Sequence, residues 1–401
     1  MLSGVNVALG VSGSIAAVKV VELAHELRRR GANVRGVMTP GAKGIVHPWS
    51  VEFATENPVV TELTGRVEHV ELCGRDGWAD ALLIAPATAN TVGKIAAAVD
   101  DTPVTTCATT ALGADVPVVI APAMHEPMYD HPGVLDAIER VEEWGVEFVS
   151  PRIEEGKAKL ASQDAIALDV ARATTPTPLS GSHVVVTSGA TSEAIDPIRV
   201  LTNRSSGRTG REIARACYAR GARVTLVHGP VGPRPPKEGS VDPLPYVDLR
   251  SVESAEEMRE TTLDVTVEAD ALVSAAAVGD YTVEATGEKI RSGRELTLAL
   301  EPAPKLVDAV REAHPELPIV GFKAETDTEG MVEAARGLLR RVDLEFVVAN
   351  DASVMGEDDT RVRIVRERGT KRYAGSKAEI GARIADELAS TLRENRGRSE
   401  G

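Results

Sequence analysis

The stretch IRVLTNRSSGRTG, Ile198 to Gly210, sets Asn203, Ser205, Ser206, Gly207 and Gly210 at the mouth of a helix expected from about Arg211. Two readings stand on this stretch alone. Exposed N–H groups at a helix N-terminus bind anions, and glycine lets an anion approach the backbone closely. Ser and Asn also cap helices with no ligand present. A second small polar turn, Gly10, Ser12, Gly13 and Ser14 in GVSGSIAAVK, is neither GxGxxG nor GxxxxGK. A mononucleotide phosphate suits it; a tight turn without phosphate is the alternative. His69 in VEHVELCG and His125 in APAMHEPMY carry imidazoles, which change protonation near neutral pH and can move protons. Either is as readily structural, since the chain has 8 histidines. Lys289 in GEKIRSG is a point charge suited to phosphate. Arg336 and Arg340 lie one helical turn apart and read as solvated surface unless a phosphate site claims them.

These residues need a scaffold, and the pattern supplies one. VNVALGVSGSIAAVKVVELAHELRRRGANV reads as strand, turn, helix, glycine stop at Gly31 and next strand, with Ile15, Val18, Val21, Leu23 and Leu27 at helical spacing. ADALLIAPATANTVGKIAAAV and DVPVVIAPAM repeat the theme. ATTPTPLSGS, Ala173 to Ser182, has no apolar period and reads as a linker. The alternation restarts at HVVVTSGAT and continues through RGARVTLVHGP, ADALVSAAAVGDY, ELPIVGFKAET and LEFVVANDAS. TRVRIVRERGTKRYAG alternates with period two, as a terminal hairpin would. A last helix is expected from Ser376 to Arg393, then a frayed tail. The expectation is α/β: two doubly wound, Rossmann-like domains, 1–175 and 183–401, joined by a linker at 176–182. Ligands then bind where loops leave the carboxyl ends of strands. Those loops are Ser12–Ser14, Ala87–Thr91, Met124–Tyr129, Ser188–Ile195, Gly279–Tyr281 and Asn350–Ser353.

Composition narrows the functional class. A length of 401 residues exceeds one ordinary core. Cys73, Cys107 and Cys217 show no CxxC spacing, so neither a disulfide framework nor a zinc site is expected. Net charge is -15, which opposes general nucleic-acid binding but permits local basic pockets. Only 11 of the 45 basic residues are Lys, a balance suited to a salt-rich cytoplasm. No apolar run reaches membrane-span length and no signal pattern opens the chain, so a cytoplasmic protein is expected.

HVEL at His69, PATANT at Pro86–Thr91 and PAMHEPMY at Pro122–Tyr129, in this order, resemble the signatures of homo-oligomeric flavin-containing cysteine decarboxylases. The resemblance implies a flavodoxin-like domain with FMN held by Gly10, Ser12, Gly13 and Ser14, and with Thr39, Thr88 and Asn90 near the flavin. The chemistry needs such a cofactor: a carboxylate on a saturated, amide-bearing carbon has no electron sink until the neighbouring thiol-bearing carbon is oxidised. His69 is implied as the assisting base. Two departures matter. His125 stands where the family has an Asn that orients the substrate carboxylate. EEGKAKLAS, Glu154 to Ser162, lacks the family's flap Cys, leaving Lys157 or Lys159 or another proton donor for that step.

Past the linker, SGATSEAIDPIRVLTNRSSGRTG, AAAVGDY, EKIR, VGFKAET and VVANDAS resemble the phosphopantothenate–cysteine ligases. The whole chain thus resembles the bifunctional phosphopantothenoylcysteine decarboxylase / phosphopantothenate–cysteine ligases of coenzyme A biosynthesis. The opening stretch then holds substrate anions: Arg199, Asn203, Ser205, Ser206 and Gly207 bind substrate, with Asn203 on the acyl-cytidylate formed from CTP. Lys289 is implied as catalytic. Asp280, Lys289, Ala303, Pro304, Lys305, Leu306, Phe322, Arg336 and Arg340 are implied around CTP, with APK in place of the usual NPD and Arg for two lysines. Mg2+ is expected with the triphosphate, Asp280 and Asp351 being the candidate ligands. The implied partners are 4′-phosphopantothenate, cysteine, CTP, phosphopantothenoylcysteine and further copies of the chain, with no nucleic acid and no membrane. A ligase carrying a non-catalytic flavin-binding module is the alternative; a flavoprotein electron carrier with a nucleotide-sensing domain is a third.

Overall fold

A computed structural model describes residues 1–230, 244, 246–293, 295–325, 330–351 and 359–399. Thr326, Ala352 and Ser353 of the sequence motifs, and Glu400 and Gly401 of the tail, lie outside the described residues. The chain divides into two compact units, Met1–Pro176 and Thr177–Gly401. Among the described residues no helix is long and apolar enough to cross a membrane.

In the first unit five parallel strands, β1 (Asn6–Val11), β2 (Asn33–Met38), β3 (Ala81–Ala87), β4 (Val118–Pro122) and β5 (Glu147–Phe148), lie in the order β2-β1-β3-β4-β5. Every residue of β3 and β4 is buried, as in a parallel sheet covered on both faces. Successive side chains serve opposite cores: Val7, Leu9 and Leu83 on one side, Ala8, Leu82 and Ile84 on the other. The chain winds from β1 outward to β2, then returns to place β3 on the other flank of β1. Loops diverge at that switch point, the place where open α/β sheets take their ligands. One expectation fails here. Ile15 and Val18 are 78% and 56% exposed, on a 3-10 turn (Ile15–Lys19) capped by Ser14. The core-facing helix starts only at Val20 and buries Val20, Leu23, Ala24 and Leu27.

The second unit holds an eight-stranded sheet: β6 (His183–Ser188), β7 (Arg223–His228), β8 (Asp248–Ser251), β9 (Ala271–Ser274), β10 (Ile319–Glu325), β11 (Phe346–Asp351), β12 (Asp359–Val365) and β13 (Thr370–Ser376). Its order is β8-β7-β6-β9-β10-β11-β12-β13, with a switch point between β6 and β9. β12 and β13 form the terminal hairpin and add antiparallel strands to the otherwise parallel sheet. Two short ribbons, Ser192–Asp196 with Arg199–Thr202 and Tyr281–Val283 with Leu300–Pro302, leave the carboxyl edge. The loop expected over Ser188–Ile195 is thus partly strand.

Two boundaries shift from the sequence reading. Thr177–Ser182 belongs to the second unit, because Leu179 is fully buried and its N–H donates to the Arg220 carbonyl. The last helix runs Lys377–Ser399, so most of the expected tail is helical. Asn395 Nδ2 donates to Glu345 and Arg396 to Ser182 Oγ, which pins that turn to the unit.

Candidate functional sites

In the first unit the ends of β1, β3 and β4 are stitched together by hydroxyls. Ser12 Oγ donates to the Pro86 carbonyl at 2.7 Å and accepts from Thr88 N–H at 3.1 Å. Ser14 Oγ donates to the Ala123 carbonyl at 3.1 Å. Each hydroxyl has one proton, so in this arrangement both are spent on neighbouring loops rather than on a phosphate. Thr39 caps a short helix (Pro40–Lys43), and Thr88 caps the helix Ala89–Ala96, on which Asn90 is exposed. Gly10 lies within β1, where a side chain would press on Val104. A Cβ on Gly13 would come within 3.0 Å of the Gly41 backbone, so glycine is what lets the β1 and β2 loops close together.

His69 sits in the first turn of the helix Glu68–Cys73, on the crossover from β2 to β3. Buried Leu72 and Cys73 anchor that helix. The ring is half-buried, and its Nδ1 is buried with no hydrogen-bond partner among the described residues. His125 is exposed, on a ribbon of Met124–His125, Lys157–Lys159 and Arg152–Glu154. Lys157 stands directly opposite His125, whereas Lys159 is paired with Glu154 and Glu155. Switch-point loops of backbone and closely packed glycines, and in the same unit a buried imidazole nitrogen without a partner among the described residues, fit a flavin and its substrate.

In the second unit a cleft of about 900 Å³ opens at the β6–β9 switch point. Its walls are Arg204–Gly210, Ser274–Asp280, Pro304–Asp308 and one face of the helix Met331–Val342. Of the residues expected at the site, Ser205, Ser206, Gly207, Asp280, Pro304, Lys305, Leu306 and Phe322 line it. The helix Arg208–Ala219 starts at Gly207, at φ 64°, without a side-chain cap. Neither serine caps it: Ser205 Oγ accepts from Gly207 N–H, and Ser188 Oγ donates to the Gly207 carbonyl. Asn203 lies beside the cleft and fastens its floor, Nδ2 donating to the Ala277 carbonyl at 3.1 Å.

Other expected residues are placed elsewhere. Arg199 is committed to the fully buried Asp196 carboxylate and the Ile290 carbonyl, a staple that fixes the segment beside exposed Lys289. Backbone N–H groups of Ile198, Arg199 and Ile290, together with Arg199, outweigh the cost of burying Asp196 and hold its carboxyl below the usual range. Ala303 is buried and donates to the Asp280 carbonyl. Arg336 and Arg340 are not on the cleft; they pair with Glu333 and Glu367. The helix instead turns Ala334, Gly337, Leu338 and Arg341 inward, an i, i+3, i+4, i+7 face.

Residues the sequence reading missed on the cleft include Arg208, Asp308, Lys323, Arg341, Asn350 and Lys377. Lys305 pairs with Asp280 and Arg341 with Asp308, so each of these cations is matched by a carboxylate that also lines the cleft. Among the described residues no group of three or more His, Cys, Asp or Glu stands ready for a metal, and the side chain of Asp351 lies outside them.

Beneath Gly207 lies His228, 2% exposed, whose pKa burial and the Arg211 charge push down to about 4. The unfolded chain, with an ordinary value near ~6.5, takes up a proton that the folded chain refuses. Stability from this group is therefore complete above the unfolded value and lost as pH falls toward 4. The loss amounts to about 3 kcal/mol. Urea unfolding at pH 7.5 and 4.5 should show the wild type losing about that much more than His228→Gln. Equal losses would count against the buried neutral imidazole.

Residues 1–175 match the family described as Flavoprotein, and residues 179–392 match the DNA/pantothenate metabolism flavoprotein C-terminal domain. The coenzyme A biosynthesis bifunctional protein CoaBC of Thermococcus kodakarensis is 46% identical over 399 residues, 98% of this chain and 96% of that protein. The protein of the same name from Bacillus subtilis is 35% identical over 421 residues, covering 100% of both. A solved C-terminal domain of CoaBC is 29% identical and covers 54% of this chain and 99% of its own, with a TM-score of 0.45. The chain belongs to the bifunctional coenzyme A biosynthesis family, as an enzyme with a flavoprotein decarboxylase half followed by a ligase half.

Proposed function

We propose that the second unit joins cysteine to 4′-phosphopantothenate with CTP, through an acyl-cytidylate, and that the first decarboxylates phosphopantothenoylcysteine to 4′-phosphopantetheine with FMN. The observation that carries the ligase reading is the switch-point cleft, where an uncapped helix N-terminus faces Lys305 and Arg341. The substrate carboxylate attacks the α-phosphorus of CTP and pyrophosphate leaves; the cysteine amine then displaces CMP. The Ser205–Gly207 turn holds the anionic acid, and its N–H groups need no reorganisation as charge develops. Asn203 keeps the floor in place and faces the acyl-cytidylate. Lys305 and Arg341 on the cleft meet the triphosphate, Lys289 on the exposed segment outside its lining is a further cation for it, and Asp280 is the residue that would hold Mg2+. Phe322 and Leu306 give the nucleotide an apolar wall.

FMN, when bound, would accept two electrons from the thiol-bearing carbon, which makes that carbon an electron sink for the departing carboxylate, and would return them to give the saturated thiol. Around it the Ser12–Ser14, Thr39 and Thr88–Asn90 turns present backbone groups. His69 Nδ1 takes the proton released as that carbon is oxidised. His125 orients the substrate carboxylate from its ribbon. We place the enzyme in the cytoplasm as a homo-oligomer acting on small molecules.

A coupled assay tests both halves: purified chain with phosphopantothenate, cysteine, Mg2+ and CTP, with mass detection of both products. Phosphopantetheine should accumulate alongside a yellow flavin spectrum. Accumulation of phosphopantothenoylcysteine without CO2 would leave a ligase carrying a non-catalytic flavin module.

A further inference from the structure

His228, the last residue of β7, is one of the few deeply buried polar side chains left open. Among the described residues neither Nδ1 nor Nε2 has a hydrogen-bond partner. A neutral imidazole carries one donor and one acceptor nitrogen, and leaving them buried and unpaired is a cost that an apolar side chain would avoid. Such a group calls for a reason.

Its position supplies one. A Cβ on Gly207 would come within 2.8 Å of His228 Cε1 and 3.1 Å of Gly189 N. Cε1 is the ring carbon between the two nitrogens, so both open atoms flank the contact with the turn. That turn starts the helix Arg208–Ala219 and lines the cleft through Ser205, Ser206 and Gly207. From its other sides the turn is bonded: Ser188 Oγ to the Gly207 carbonyl, Arg211 to the Ser206 carbonyl, Asn203 to the Ala277 carbonyl. Among the described residues, the His228 side offers polar atoms and makes no bond. Burial, and after it the Arg211 charge, disfavours protonation of the ring, so the ring keeps a nitrogen able to accept.

We propose that His228 is a positioning residue for the substrate-anion turn. When Ser205–Gly207 settles on the anionic acid substrate, a ring nitrogen accepts a hydrogen bond from the turn, and the bond is released when substrate leaves. A hydrogen bond made in this way strengthens substrate binding, and the benefit appears in affinity rather than in the chemical step. Gly207 is glycine on the same account, since a side chain would wedge ring and turn apart. The inference rests on the reading that this turn takes phosphopantothenate.

The test compares His228→Leu, of similar size without nitrogens, and His228→Gln, which keeps polar atoms, in the full-length protein. An idle imidazole predicts that His228→Leu is at least as stable as wild type at pH 7.5 and has an unchanged KM for phosphopantothenate. A positioning imidazole predicts equal or greater stability together with a KM for phosphopantothenate raised about five- to tenfold. The KM for CTP and kcat should stay within about twofold, and His228→Gln should recover most of the lost affinity. Should the Leu variant fail to fold, His228→Val, smaller than the imidazole, is read the same way. An unchanged KM for phosphopantothenate overturns the inference. Failure of the wild type to form phosphopantothenoylcysteine would overturn the ligase reading itself.

Discussion

Replacing His69 with Asn is expected to slow CO2 release from phosphopantothenoylcysteine by about 10²–10⁴-fold, the usual worth of a positioned general base. Ligation by the same molecule should be untouched, because His69 belongs to the first compact unit and the ligase cleft to the second. The fold should survive. The ring is only half-buried, its Nδ1 bonds to nothing among the described residues, and the helix that carries it is anchored by Leu72 and Cys73. Flavin absorbance measured alongside product mass separates a lost base from a lost cofactor. A variant that keeps its yellow spectrum and its wild-type decarboxylation rate would remove His69 from the mechanism.

The second large effect is expected at Arg341, and a neighbouring residue provides the control. Arg341→Ala should raise the KM for CTP about 10- to 100-fold, the range of a lost hydrogen bond to a charged group. Arg340→Ala should change it less than about twofold, since that side chain points to Glu367 away from the cleft. Neither loss should unfold the protein. The Arg341–Asp308 pair is 55% and 36% exposed, and such pairs contribute about 0–1 kcal/mol. Steady-state kinetics with varied CTP decide the matter. If Arg340→Ala proves the damaging change, the helix meets its nucleotide with a different face.

That pair of arginines shows where sequence reading stops. Spacing placed Arg336 and Arg340 on one face, and the structure agrees that they share one. Which face meets the cleft depends on what packs against the rest of the helix. Met331, Ala335, Leu339 and Val342 are buried, and the neighbouring stripe Ala334, Gly337 and Arg341 then borders the cleft. The buried stripe was readable as an apolar period, so Arg341 was within reach of the sequence; the small residues at 334 and 337, which leave room for a ligand, were the signal passed over. The hydroxyls teach a related lesson. Ser12 and Ser14 sit in a turn that composition marks as special, yet their protons go to the Pro86 and Ala123 carbonyls, 74 and 109 residues away in the chain.

What the sequence determined by itself was the alternation of apolar strands with amphipathic helices, the break into two halves, and the small polar turns that follow the strands. These are local properties, written in side-chain period and turn chemistry. Ordered motifs carried the family as well, because several short segments in fixed order constrain far more than any one. Only the tertiary structure decided which partner each polar group takes. It tied Arg199 to the Ile290 carbonyl, turned Arg341 rather than Arg340 into the cleft, and left His228 buried and unbonded beneath Gly207. The physical reason is that a hydrogen bond needs its two atoms within about 3 Å, and most of these partners are brought together by the winding of a sheet. A rotation of ~100° per helical residue separates neighbours that look interchangeable in the sequence.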